Sequence, residues 1–284
     1  MEFRVLGPLE VVAGGHAVAL TSAKGRALLG FLLLHRGETV ARERLIEELW
    51  GEAPPKTVTA ELRVYVSKLR KLLPPGLLAT REEGYALLIE ADAVDAERFE
   101  RAARDGSALL AAGDPATAVQ VLSEALALWR GPLLGDLAIE AWAQAEARRL
   151  GGLRLTALEE QVEAELALGH HVGVIGVLER LVVQEPYRER PQAQLMLALY
   201  RSGRQAEALE LYRETARLFW DELGIEPGRE LRERERAILT HDPSLAAPDA
   251  RQWEGRPAAD TARGPPGELE DVGAPAGDPP GPEQ

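Results

Sequence analysis

The sequence predicts a mainly α protein in which a small β-containing unit precedes a train of amphipathic helices. Three observations carry that prediction. Apolar residues make up 45% of the 284-residue chain but aromatic residues only 5%, the balance of a Leu- and Ala-rich helical protein. From Asp95 to about Leu239, segments of helical periodicity follow one another across short turns. Within that run Gly169 and Gly203 sit 34 positions apart in similar turns, "ALGHHVGVI" and "RSGRQAEAL", which is the tetratricopeptide period.

"FRVLGPLEVVAGGHAVAL" alternates apolar runs with Gly7-Pro8 and Gly14-Gly15, a β-hairpin or small meander. Thr21 or Ser22 caps a helix through "KGRALLGFLLLHRG" that stops at Gly37. After "ETV", "ARERLIEELWG" forms a shorter helix with Leu45, Ile46, Leu49 and Trp50 inward. "TVTAELRVYVSKLRKLL" forms a third, with Val58, Leu62, Tyr65, Val66, Leu69 and Leu73 on one arc. The other arc shows Lys56, Thr57, Ala60, Arg63, Val64, Ser67 and Lys71, with Lys68 and Arg70 at its margins. "LLATREEGYALLIE" gives two short strands around a tip at Glu82–Gly84. Strand, three helices and a hairpin, in that order, are the layout of a winged helix-turn-helix with small β-sheets.

The second unit is read as an all-α, tetratricopeptide-like repeat domain. Its helices run through "DAERFERAARDGSALLAAG", "PATAVQVLSEALALWRG", "EAWAQAEARRLGGLRLTALEEQVEAELALG", "HVGVIGVLERLVVQEP", "RPQAQLMLALYRSG", "QAEALELYRETARLFWDELG" and "GRELRERERAIL". Each hairpin of such a domain buries its apolar face on a neighbour. The expected boundaries are 1–90, 91–245, and a Pro/Gly-rich acidic tail at 246–284, which is expected to be disordered.

Charge separates the two units. Residues 1–90 hold 12 Lys and Arg against 11 Asp and Glu, whereas the whole chain has a net charge of -13. The acidic remainder repels polyanions, so contact with nucleic acid belongs to the first ninety residues. There the third helix carries Arg63, Lys68, Arg70 and Lys71 with no acid between them. An isolated basic helix is most often a solvated face; the winged-helix order around this one makes it a recognition helix, seated by its apolar arc and facing the major groove with the other. Arg63 suits a bidentate contact to guanine, Ser67 or Thr57 a base edge or phosphate, and Lys71 a phosphate.

Other constellations point to no chemistry. His170-His171 has no following partner at metal-ligand spacing and reads as a polar turn. Glu159-Glu160 reads as a solvated helix face rather than an acid/base pair. No phosphate-binding loop, nucleophile elbow or H-E-x-x-H motif occurs, so no catalytic residue, cofactor or metal is expected. The chain has no cysteine, which fits a reducing compartment. With neither a signal peptide nor a long apolar run, a cytoplasmic protein without membrane contact is expected. Trp253 stands alone in the tail and reads as a tolerated residue there.

Together "FRVLGPLEV", "LIEELWG", "YVSKLRKLL", "GYALLI", "DAERFE", "ALALWRGPLLGDL" and the block from "LALGHHVGV" to "ELGIEPGREL" resemble the Streptomyces antibiotic regulatory protein family. Members join an OmpR-type winged helix to a bacterial transcriptional activator domain, and the resemblance spans roughly residues 1–245. It implies an activator of a specialised-metabolite gene cluster. Such an activator binds direct repeats in double-stranded promoter DNA, commonly as a pair of protomers, and recruits RNA polymerase through its sigma factor and core. The "YVSKLRK" match places Lys56, Thr57, Arg63, Ser67, Lys68, Arg70 and Lys71 on the recognition helix, and "EEGYALL" places Arg81 to Tyr85 in the wing. One departure stands out: Ala86 follows the Gly-Tyr pair where many OmpR-type wings carry a base, leaving Arg81 to supply any minor-groove contact. The chain is expected to be the small form of the family, without a nucleotide-hydrolysing, phosphopeptide-binding or phosphoacceptor domain. Two other readings stay open, a helical-repeat scaffold for proteins and a repressor using the same winged helix.

Overall fold

The computed structural model describes residues 1–247; the remainder of the acidic tail, with Trp253, lies outside them. The chain opens with an antiparallel meander of β1 (Glu2–Arg4), β2 (Glu10–Ala13) and β3 (His16–Val18). Helix α1 (Ala23–Leu34) follows, its first turn capped by Ser22, whose Oγ accepts from the Gly25 N–H at 3.3 Å. It ends before Gly37, which instead turns at φ 78° and donates its N–H to the Leu87 carbonyl. Helices α2 (Arg42–Trp50) and α3 (Val58–Leu72) and a hairpin of β5 (Leu78–Thr80) and β6 (Gly84–Leu87) complete the winged helix.

The wing has a third strand where the sequence predicts only a connection. β4 (Val40–Ala41) pairs with β6, giving the order β4-β6-β5. Gly84, expected at the hairpin tip, is the first residue of β6 and faces this strand. A Cβ there would lie 1.8 Å from the Val40 carbonyl oxygen, so only glycine lets β4 close on β6. The tip is Arg81 to Glu83.

The second unit is helical throughout: α4 (Asp95–Ala111), α5 (Pro115–Ala127), a 3-10 turn at Gly135–Ile139, then α6 (Ala141–Ala167), α7 (His171–Gln184), α8 (Glu189–Arg201), α9 (Gln205–Leu223) and α10 (Arg229–Leu239). The repeat is visible in its turns. After α4, α6 and α8 the glycines 113, 169 and 203 take φ of 76°, 82° and 76°. In each turn the next N–H reaches five residues back, from Asp114 to Leu109, His170 to Glu165 and Arg204 to Leu199. That is the left-handed helix stop glycine accepts without strain.

Buried side chains form two clusters. One runs from Phe3 to Ala164 and so passes through residue 90 without a break. The other runs from Val162 to Leu245, and α6, about 40 Å long at 1.5 Å per residue, contributes to both. At the junction of winged helix and repeats, the Asp95 carboxylate accepts from the Val5 N–H at 2.7 Å and the Leu6 N–H at 3.2 Å. The Arg130 and Leu134 N–H groups return bonds of 2.7 Å to the Leu6 and Val5 carbonyls. Around them Arg98 and Arg4 pair with Glu2, Arg130 with Glu10, and Arg36 with Glu97. Phe31 of α1 meets Trp142 of α6 edge to face, ring centroids 5.3 Å apart.

One charged site differs from expectation. Glu159 is not on a solvated face: it is 3% exposed and takes a two-pronged contact from Arg188, at 2.7 and 3.1 Å. Its neighbour Glu160 accepts from Ser107 on α4. His170 is exposed in the turn after α6, where it meets Glu165, one turn before it, at 2.6 Å.

Candidate nucleic-acid interface

Helix α3 is seated by Val58, Leu62, Val66 and Leu69, all buried, with Leu73 just beyond, against α1 and α2. A 3.6-residue period then dictates what faces out. Arg63, Ser67 and Lys71 form one exposed row at i, i+4 and i+8, about 12 Å long at 1.5 Å per residue. Ala60 and Val64 lie beside it, both exposed. The helix fits a major groove about 12 Å wide.

The remaining sequence-predicted residues are distributed around this row rather than along it. Lys56 is exposed in the turn before α3, not on the helix. Thr57 occupies the N-cap position, yet its hydroxyl donates to Glu61 Oε1 at 2.7 Å and caps no backbone group. Lys68 lies on the flank toward α1, its ammonium 5.6 Å from the Tyr65 ring centre, at the edge of a groove of about 280 Å³ that Leu20, Ser22 and Leu72 also line. Arg70 points the opposite way. Its Nε donates to the Leu78 carbonyl at 3.0 Å and its Nη2 to Thr80 Oγ1 at 2.6 Å, so it clamps the wing hairpin onto α3.

The wing brings one cation to the surface at its tip, Arg81, with Glu82 and Glu83 beside it, all exposed. Ala86 is 1% exposed and pairs with Ala79 across the hairpin. Arg42, at the start of α2, joins the wing although nothing in the sequence marks it. Its Nη2 donates to the Arg81 carbonyl at 3.3 Å and its guanidinium lies 6.0 Å from the Tyr85 ring centre. Only the strand pairing of β4 with β6 brings it to the wing; in the sequence it reads as a helix start.

Several arginines elsewhere find acids: Arg26 with Asp136, Arg36 with Glu97, Arg98 with Glu2, Arg149 with Glu100 and Glu146. Among the described residues Lys56, Arg63, Lys68, Arg70, Lys71 and Arg81 make no ion pair. Of these, Arg63 and Lys71 stand unneutralised on one exposed helix face and supply a field that draws a polyanion. Among the same residues no three His, Asp or Glu side chains converge as a metal site, and no helix is long and apolar enough to cross a membrane.

Comparison with known proteins finds two family matches along the chain. Residues 15–87 match the family described as transcriptional regulatory protein, C terminal, and residues 94–239 the bacterial transcriptional activator domain. The regulatory protein AfsR of Streptomyces coelicolor is 42% identical over 247 residues, covering 87% of this chain and 25% of AfsR; the chain thus spans about a quarter of that relative's length. The transcriptional regulator RedD of the same organism is 38% identical over 270 residues, covering 92% of this chain and 77% of RedD. Among solved structures, Mycobacterium tuberculosis EmbR in complex with a low affinity phosphopeptide aligns with a TM-score of 0.81 at 38% identity, covering 88% of this chain and 67% of that one. By its two domains and its relatives, the chain belongs to the Streptomyces antibiotic regulatory protein family of transcriptional regulators.

Proposed function

We propose that this regulator is a sequence-specific DNA-binding activator of a specialised-metabolite gene cluster, acting in the cytoplasm at the nucleoid. In this reading residues 1–90 read the promoter and residues 91–245 form the activator module. Two protomers sit on direct repeats and recruit RNA polymerase through its sigma factor. The observation that supports it most is the row Arg63–Ser67–Lys71, exposed and without ion pairs on a helix of winged-helix placement, in a chain of net charge -13. Arg63 is assigned to a base edge, Ser67 to a base or phosphate, and Lys71 to phosphate. Lys56 and Lys68 flank the row and hold the adjoining backbone. Thr57 sets the helix start, Arg70 the wing, and Arg81 with Arg42 the edge where the wing meets DNA.

The test is a gel-shift and footprinting series with the full chain on the promoters flanking its own gene. Protection of tandem sites, with affinity falling steeply as salt rises, is the expected result. Binding that is absent, or indifferent to sequence, overturns the reading in favour of a protein scaffold. Transcription in vitro with purified polymerase separates activation from repression.

A further inference from the structure

Val64 is half exposed in the middle of α3, and no packing role explains it. The helix buries Val58, Leu62, Val66 and Leu69; Val64 lies on the opposite face, with Ala60 one turn before it, Ser67 and Lys68 one turn after and Lys71 two turns after. A β-branched residue restricts its own χ1 in a helix and is slightly disfavoured there, so an exposed valine gains nothing locally over alanine. Its neighbours matter as much. Ala60 and Ser67 are short, which lets the helix backbone approach the floor of a groove, and the long cations Arg63 and Lys68 rise on either side. A stiff, branched apolar group then meets the floor first.

In the major groove the one apolar feature among the base edges is the C5 methyl of thymine. We propose that Val64 determines specificity by packing on a thymine methyl at one position of each half-site, beside the contacts of Arg63 and Lys71. The proposal rests on the DNA-binding reading above and adds a named base to it. Hiding one methyl-sized group from water is a several-fold effect, so the expected preference for thymine over its demethylated counterpart is about 3- to 5-fold at that position.

The experiment uses the full chain and a duplex selected by it from a randomised library. Each thymine is replaced singly by deoxyuridine, which keeps every hydrogen bond and removes only the methyl. Wild type is expected to lose about 3- to 5-fold in affinity at one thymine per half-site. Val64→Ala is expected to lose a similar factor on the parent duplex and nothing further at that thymine. Val64→Thr, which retains one methyl, is expected to fall between. Because Val64 is exposed, circular dichroism of both variants should match wild type. If wild type binds but its deoxyuridine profile is flat, or is unchanged by Val64→Ala, the Val64 assignment is overturned while the DNA-binding reading stands. If wild type enriches no duplex at all, both are overturned.

Discussion

Removing the Asp95 carboxylate is expected to strip two buried hydrogen bonds from the junction between winged helix and repeats. Asp95 is 2% exposed, and its acceptor oxygens are engaged by the N–H groups of Val5 and Leu6, residues themselves 1% and 0% exposed. In Asp95→Ala both donors lose their partner where water cannot replace it. A buried donor left unpaired costs about 1–3 kcal/mol, so two cost about 2–6 kcal/mol. Part is returned, because a carboxylate there is itself costly: burial pushes the Asp95 carboxyl above its ordinary value, against the opposing pull of those N–H groups and of Arg130. A net loss of about 3 kcal/mol remains, which for a chain of this size lowers the melting temperature by about 6–12 °C. Asn keeps one acceptor oxygen, so Asp95→Asn should show about half that shift. Arg130→Ala is the control, since it removes the 3.6 Å ion pair with Asp95 but leaves both backbone bonds. Thermal denaturation followed by circular dichroism measures all three. An Asp95→Ala protein melting within 1 °C of wild type would refute the reasoning, because the junction bonds would then contribute nothing.

Four further outcomes are expected. Arg63→Ala should weaken binding to its best duplex by about 1–3 kcal/mol and relax specificity at one base pair, while Lys71→Ala should weaken all sequences alike and reduce the salt slope by about one; gel shifts at several salt concentrations distinguish them. Arg70→Ala should free the carbonyl of Leu78 and the hydroxyl of Thr80, speeding amide exchange in β5 and β6 with little loss of helix, and Arg70→Lys should not restore two bonds that need a fork of donors. Arg188→Ala should destabilise by about 3 kcal/mol by leaving the buried Glu159 carboxylate without its guanidinium, read as a lower urea midpoint. The pH dependence of Asp95 follows from its raised value: the folded protein holds that proton more tightly, so its contribution to stability is full below about pH 4 and declines as pH rises through the folded value. The stability of wild type relative to Asp95→Asn should therefore fall across that window in denaturation curves taken at successive pH.

What the sequence made legible was whatever a single helix encodes in itself. The two faces of α3 follow from 3.6-residue periodicity, so Arg63, Ser67 and Lys71 could be placed outward from the chain alone. The helix-stop glycines 169 and 203 could be found because each depends on local backbone shape. Contacts made between distant elements were not legible. Two residues of β4 show no alternation, and that strand exists only because Tyr85 and Gly84 return to it. Arg70 reads as one more exposed base until the hairpin brings Leu78 and Thr80 within reach. Glu159 reads as solvated until the turn after α7 delivers Arg188 from 29 positions away. Buried ion pairs share their composition with surface charge, and only packing tells them apart.

The core that runs unbroken past residue 90 leaves the winged helix no tether on which to swivel. Each protomer would thus meet DNA as one body, with α3 at a fixed bearing to the repeats behind it. Two such bodies on tandem sites could touch only when the sites present the same side of the duplex. Spacing would then be measured in whole helical turns: adding about 5 base pairs between repeats would swing the second protomer to the far side, and about 10 would bring it back. If two protomers bind tandem sites as proposed, the quantity read by the pair, beyond the sequence of either site, would be the phase of the double helix.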